Sequence, residues 1–77
     1  MKVKVSALGS LKQYVPDERE IEVKDTSISL KDLICTKAGI PENESRLCYV
    51  VNGRIQKASY LPQPDDKIVV LKMAGAG

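Results

Sequence analysis

The chain has no histidine, no tryptophan and no phenylalanine. Without histidine it lacks the usual general base and the commonest metal ligand. Only two cysteines occur, Cys35 and Cys48, with twelve residues between them. That spacing is not a C-x-x-C pair, and the set of about four ligands that zinc takes is missing. A disulfide scaffold of this size would carry more cysteines. Both are therefore read as free thiols in a reducing cytoplasm. Apolar runs such as Ile68 to Leu71 are far too short to span a membrane. Met1-Lys2-Val3-Lys4-Val5 alternates charged and apolar residues, so it offers no signal-peptide core. Twelve Lys plus Arg against ten Asp plus Glu leave a net charge of +2. That charge is too small and too mixed in order to point to nucleic acid or an anionic membrane. At 77 residues there is room for one core and no second domain. Such a chain buries only about 60% of its unfolded surface, which leaves little material for a catalytic cleft.

The residues present do order themselves. Val3, Val5 and Ala7 alternate with Lys2, Lys4 and Ser6, a first strand with one wet face. Ile21 and Val23 alternate with Glu20, Glu22 and Lys24 in a second. The two read as an antiparallel hairpin joined by residues 9 to 18, with Pro16-Asp17-Glu18 as a turn signal. A helix follows. Ser29 is its N-cap, Asp32 stands in the capping-box position, and Ile28 and Leu33 fit a hydrophobic staple. Leu30, Leu33, Ile34 and Ala38 form its apolar stripe, and Gly39 then Pro41 end it. Cys35 lies at its side as a small, half-buried apolar residue. Leu47 to Val51 is a third strand, and Asn52-Gly53 turns it back into Arg54-Ile55. Ala58, Tyr60 and Leu61 are expected to pack beneath an irregular segment. Pro62-Gln63-Pro64-Asp65-Asp66 is a turn cluster, and Ile68 to Leu71 is the last strand. The expected organisation is a domain over residues 1–72 and a flexible tail over 73–77.

One helix covers one face of a sheet. The third and last strands are apolar on both faces, a pattern of strands covered on both sides. Nothing in the chain remains to cover the second side. With the larger Leu47 and Tyr49 turned inward, an exposed patch of Cys48, Val50, Val69 and Leu71 results, extended by Met73. Such patches mark partner surfaces. The plainer alternative is that β-branched residues stand there for strand propensity alone. Asp65-Asp66 and Glu42/Glu44 are read as solvated turn acids, since acid–base work needs desolvation. Cys48 has no histidine to activate it as a nucleophile.

Val51-Asn52-Gly53-Arg54, then Tyr60-Leu61, then Pro64-Asp65-Asp66-Lys67-Ile68 resemble the ThiS/MoaD-type sulfur carriers, in order and spacing. These are the thiamine-biosynthesis carrier and the small subunit of molybdopterin synthase. The resemblance covers essentially the whole chain. It implies an α+β, ubiquitin-like β-grasp fold, a mixed sheet of four to five strands on one helix. It implies a carrier that is not itself an enzyme. A partner adenylating enzyme of the ubiquitin-activating type uses ATP on the C-terminal carboxylate of Gly77. A thiocarboxylate is then formed and surrendered to a sulfur-accepting synthase subunit, in molybdopterin, tungstopterin or thiamine synthesis. On this reading the carrier is expected to bind no cofactor of its own, with neither nucleic acid nor membrane as a partner. The tail departs from the family's Gly-Gly ending, since this chain closes on Gly75-Ala76-Gly77. The alternative function is a non-covalent ubiquitin-like binding module that has lost carrier chemistry.

Overall fold

The alternation at the start of the chain becomes β1 (Lys2–Ala7), with Val3, Val5 and Ala7 buried and Lys2 and Lys4 exposed. It pairs antiparallel with β2 (Arg19–Glu22), Val3 opposite Ile21. The computed structural model describes residues 1–73; Gly75, Ala76 and Gly77 of the expected tail lie outside the described residues. The segment joining β1 and β2 does more than turn. Gly9–Gln13 winds into a 3-10 helix, and Leu11 and Val15 are both buried in the core.

The helix forms from the expected signals and is wound unevenly. α1 (Leu30–Leu33) runs directly into a π-wound turn (Ile34–Ala38). Ser29 Oγ accepts the Asp32 N–H at 3.2 Å, and Ser29 O accepts the Leu33 N–H at 2.9 Å. The two N–H groups before them are bonded from outside. Leu30 N donates to Tyr60 O at 2.7 Å and Lys31 N to Ala58 O at 3.0 Å. The N–H groups of Leu30, Lys31 and Asp32, which the first turn itself leaves unpaired, are thereby satisfied. This corrects the expectation for the irregular segment. Ala58 and Leu61 are exposed, and the segment serves the helix through its carbonyls, while Tyr60 and Pro62 face the core. At the far end Gly39 takes φ 81°, the left-handed conformation that suits glycine, and Ile40 N reaches back to Ile34 O. The stripe of Leu30, Leu33, Ile34 and Ala38 is fully buried.

β3 (Leu47–Val51), β4 (Arg54–Gln56) and β5 (Lys67–Lys72) complete the sheet. Asn52 and Gly53 both have positive φ, 52° and 84°, the two-residue turn whose twist matches a hairpin. Among the described residues the strands form one mixed sheet in the order β2-β1-β5-β3-β4. β1 and β5 lie side by side and parallel at its centre, with Val5 level with Ile68 and Ala7 with Val70. β3 pairs antiparallel with β5, Tyr49 opposite Val70 and Val51 opposite Ile68. These residues form the inner face, and the helix side closes over them.

Candidate functional site: the outer sheet face and the root of the tail

Turning Tyr49 and Val51 inward sends Cys48 and Val50 to the other face. The register sets Cys48 opposite Leu71 and Val50 opposite Val69. The four residues named from the sequence therefore make one contiguous block. Its members differ in access. Val50, Val69 and Leu71 are half-buried, while Cys48 is only 8% exposed between its neighbours on the sheet. Met73 follows the same parity and is 57% exposed. Gly75, Ala76 and Gly77 follow it outside the described residues.

The block is larger than the sequence alone indicates. Ile55 of β4 stands opposite Val50 and is 74% exposed, the most open large apolar side chain described. Leu8 continues the β1 alternation past Ser6, and the β1–β5 register brings it level with Leu71. Both signals were present in the residues. The Asn-Gly turn fixes which residue of β4 faces Val50, and the period of two extends from Ser6 to Leu8. The other half of this face, over β2 and β1, is charged. There Lys2 pairs with Glu20 at 3.5 Å and Lys67 with Glu18 at 3.9 Å. A shallow groove of about 230 Å³ lies among Lys2, Val3, Lys4, Glu20, Asp65 and Lys67. Its lysine and carboxylate side chains are all exposed to solvent.

The root of the tail is held at two successive residues. Met73 N donates to Arg46 O at 2.8 Å. Lys72 Nζ lies 2.8 Å from Glu44 Oε1, and Tyr14 OH donates to Glu44 Oε2 at 2.8 Å. The bonds from Lys72 and Tyr14 hold the Glu44 carboxyl below the ordinary glutamate range. The same bond raises the Tyr14 phenol, because deprotonation would set it against a carboxylate. Glu44 is thus not a solvated turn acid. A carboxyl lowered in the folded state stabilises above its ordinary pKa, and that contribution drains as pH falls through the folded value. Glu44→Gln is expected to flatten the acid limb of stability between the ordinary glutamate range and the lower folded value. Melting temperature against pH checks this, and superimposable acid limbs would contradict it.

The motifs that carried the resemblance meet at the opposite pole. Asp66 is 4% exposed. Its carboxylate accepts from Asn52 Nδ2 at 2.8 Å, Tyr60 OH at 2.7 Å and Gln63 N at 2.8 Å. Asn52 Oδ1 in turn accepts from Lys67 N, and Asp66 O accepts from Lys4 N. The expectation of a solvated Asp65-Asp66 pair holds for Asp65 alone, which is exposed at φ 66°. Asp66 is a buried structural knot, and its bond raises the Tyr60 phenol above the ordinary tyrosine range. Cys35 is half-buried, and desolvation pushes its thiol up, away from a reactive thiolate. Among the described residues no His/Cys/Asp/Glu group could hold a metal, and no helix is long and apolar enough to cross a membrane.

No family model matches the chain, and no curated protein matches it. Among solved structures it is similar to SAMP1 from Haloferax volcanii, at 11% identity and a TM-score of 0.74, over 100% of both chains. At that identity the likeness speaks for architecture alone. Together with the order and register of the strands, it establishes that the chain has the ubiquitin-like β-grasp fold.

Proposed function

We propose that this chain is a ThiS/MoaD-type sulfur carrier whose working group is the C-terminal carboxylate of Gly77. One observation carries the reading: the apolar half of the outer face lies directly beside the pinned end of β5, where the tail departs. A partner seated on Val50, Ile55, Val69 and Leu71 has the start of the tail at its edge. Five extended residues from Met73 then reach about 17 Å, far enough to enter a neighbouring active site. Glycine at the end leaves the reacting carbonyl unhindered and allows close backbone approach.

The chemistry is supplied by partners. A carboxylate is ionised at neutral pH and is a poor electrophile. A partner adenylating enzyme joins it to the AMP portion of ATP and releases pyrophosphate. A sulfur donor attacks the acyl carbon, and AMP leaves with one of the carboxylate oxygens. The resulting thiocarboxylate is passed to a sulfur-accepting synthase subunit. The chain itself contributes a docking face and a terminus, with no catalytic residue and no bound cofactor.

Incubation of the full chain with an adenylating enzyme encoded beside it, ATP and a sulfide source tests this. Intact mass is expected to rise by the replacement of one oxygen with one sulfur, localised to Gly77 in the C-terminal peptide. An unchanged mass while the enzyme charges its own known carrier would rule the proposal out.

A further inference from the structure

The chain leaves the sheet where the ladder alone holds it weakly. β5 has a partner on both sides as far as Val70, which lies beside Ala7 and Tyr49 and accepts the Leu8 N–H at 3.0 Å. Leu71 and Lys72 pair with β3 alone. A strand end with one neighbour is where fraying starts. Yet the bonding runs one residue past the end of β3. Met73 N donates to the carbonyl of Arg46, which stands at φ 59°. That is the left-handed region, which a residue with a Cβ holds only where its surroundings over-determine it.

Glu44 supplies those surroundings. Its two carboxylate oxygens are shared between Lys72 Nζ and Tyr14 OH, both at 2.8 Å. Tyr14 caps the 3-10 helix of the β1–β2 connection, so one side chain ties three segments that lie far apart in sequence. Among the described ion pairs this one is the exception. The other four span 3.5–3.9 Å and each of their acids is at least 42% exposed, whereas Glu44 is 18% exposed. Attraction in a pair shielded from water is largely offset by desolvation, and the best-attested use of such pairs is to fix a register. Glu44, Arg46 and Lys72 all lie outside the apolar core. What their clasp secures is the place where β5 ends.

We infer that Glu44, together with Tyr14, is a positioning residue for the tail: it closes β5 at Met73 and so fixes the point from which Gly77 reaches out. The inference rests on the carrier reading for its consequence and not for the clasp itself. With the clasp open, the segment to be ordered in a partner's site begins after Val70 rather than after Met73. Ordering one further residue costs about tenfold. That cost falls on the reacting step, because only the carboxylate is misplaced.

The full chain, labelled with ¹⁵N, is compared with its variants Glu44→Ala, Glu44→Gln and Tyr14→Phe. In the unaltered chain the Met73 amide is expected to be as ordered as that of Val70. In Glu44→Ala its order parameter is expected to fall from about 0.85 to below about 0.6, with the Val5 and Val70 amides unmoved. Glu44→Gln keeps an acceptor for one of the two donors, and Tyr14→Phe keeps the ring and the Lys72 pair, so both are expected to fall between. In charging by the adenylating enzyme, kcat of Glu44→Ala is expected to drop about tenfold with KM within about twofold, and Glu44→Gln to recover part of the loss. A Met73 amide equally ordered in Glu44→Ala, or already disordered in the unaltered chain, would overturn the inference. So would a charging loss carried by KM with kcat unchanged. Loss of order at Val5 and Val70 as well would make Glu44 a general stabiliser and overturn it too. An unaltered chain that is never charged counts against the carrier reading alone, and the Met73 amide then decides the clasp by itself.

Discussion

Asp66→Ala is expected to lower the melting temperature by about 15 °C. The carboxylate gathers three donors, from Asn52, Tyr60 and Gln63, at a site only 4% exposed. Deleting it leaves those donors without their acceptor, at about 1–3 kcal/mol for each that water cannot reach. Asn52 and Gln63 are exposed residues and Tyr60 is half-buried, so water reaches part of the set and the sum is set at about 3 kcal/mol, well below the upper bound. A domain of this length holds roughly 4–12 kcal/mol in all, so this one side chain secures a large share of it. The loss spreads because the knot joins distant parts of the chain: the β3–β4 turn, the segment that bonds the helix start, and the entry to β5. Tyr60→Phe removes one donor and keeps the ring, and should cost about 1 kcal/mol. Thermal melts followed by circular dichroism measure both. A fall of under 5 °C for Asp66→Ala, by the same scaling, would mean that water replaces the carboxylate freely.

That knot also marks where the sequence stops being legible. The one-sided strands β1 and β2 follow from alternation, because each polar residue answers to its own neighbour's face. Ser29 and Gly39 bound the helix by local hydrogen bonding and local backbone freedom. The inward choice for Tyr49 follows from size, and the structure buries it at 6% exposure. Asp66 is different. Its donors lie 3, 6 and 14 residues away, and nothing local separates it from exposed Asp65. Leu11 and Val15 enter the core from a connection whose 3-10 turn has too few residues to show a period. The π-wound turn is likewise hidden, since the apolar stripe fits an ordinary helix; Thr36 Oγ1 donating to Asp32 O at 2.6 Å accompanies the wider winding. For the outer face, the paired strands were readable directly, and the flanks only once a strand register is added. Ile55 needs the turn register, and Leu8 needs the parallel pairing of β1 with β5.

Deleting Ala76 and Gly77 is expected to abolish sulfur loading while leaving the melting temperature and the docking face unchanged. Every core residue of the described structure precedes Met73, so the deletion removes none of these core side chains. Its effect falls on reach. Each extended residue spans about 3.3–3.6 Å, so the terminal carboxylate retreats by about 7 Å. Adenylation needs that carboxylate within about 3–3.5 Å of the α-phosphorus, and a misplacement of about 1 Å already costs on the order of a hundredfold. The tail cannot make up the difference, because Met73 N is bonded to Arg46 O and Lys72 is held by Glu44. Recovering the lost length would require breaking the end of β5 from β3. The truncated chain should therefore still compete with the intact one for the adenylating enzyme, as an inhibitor that is never charged. A non-covalent module predicts the same retained binding but no charging of the intact chain either, so the pair of proteins separates the two functions. Charging of the truncated chain at Gly75, at a rate near that of the intact chain, would show that reach from a fixed root does not govern the reaction.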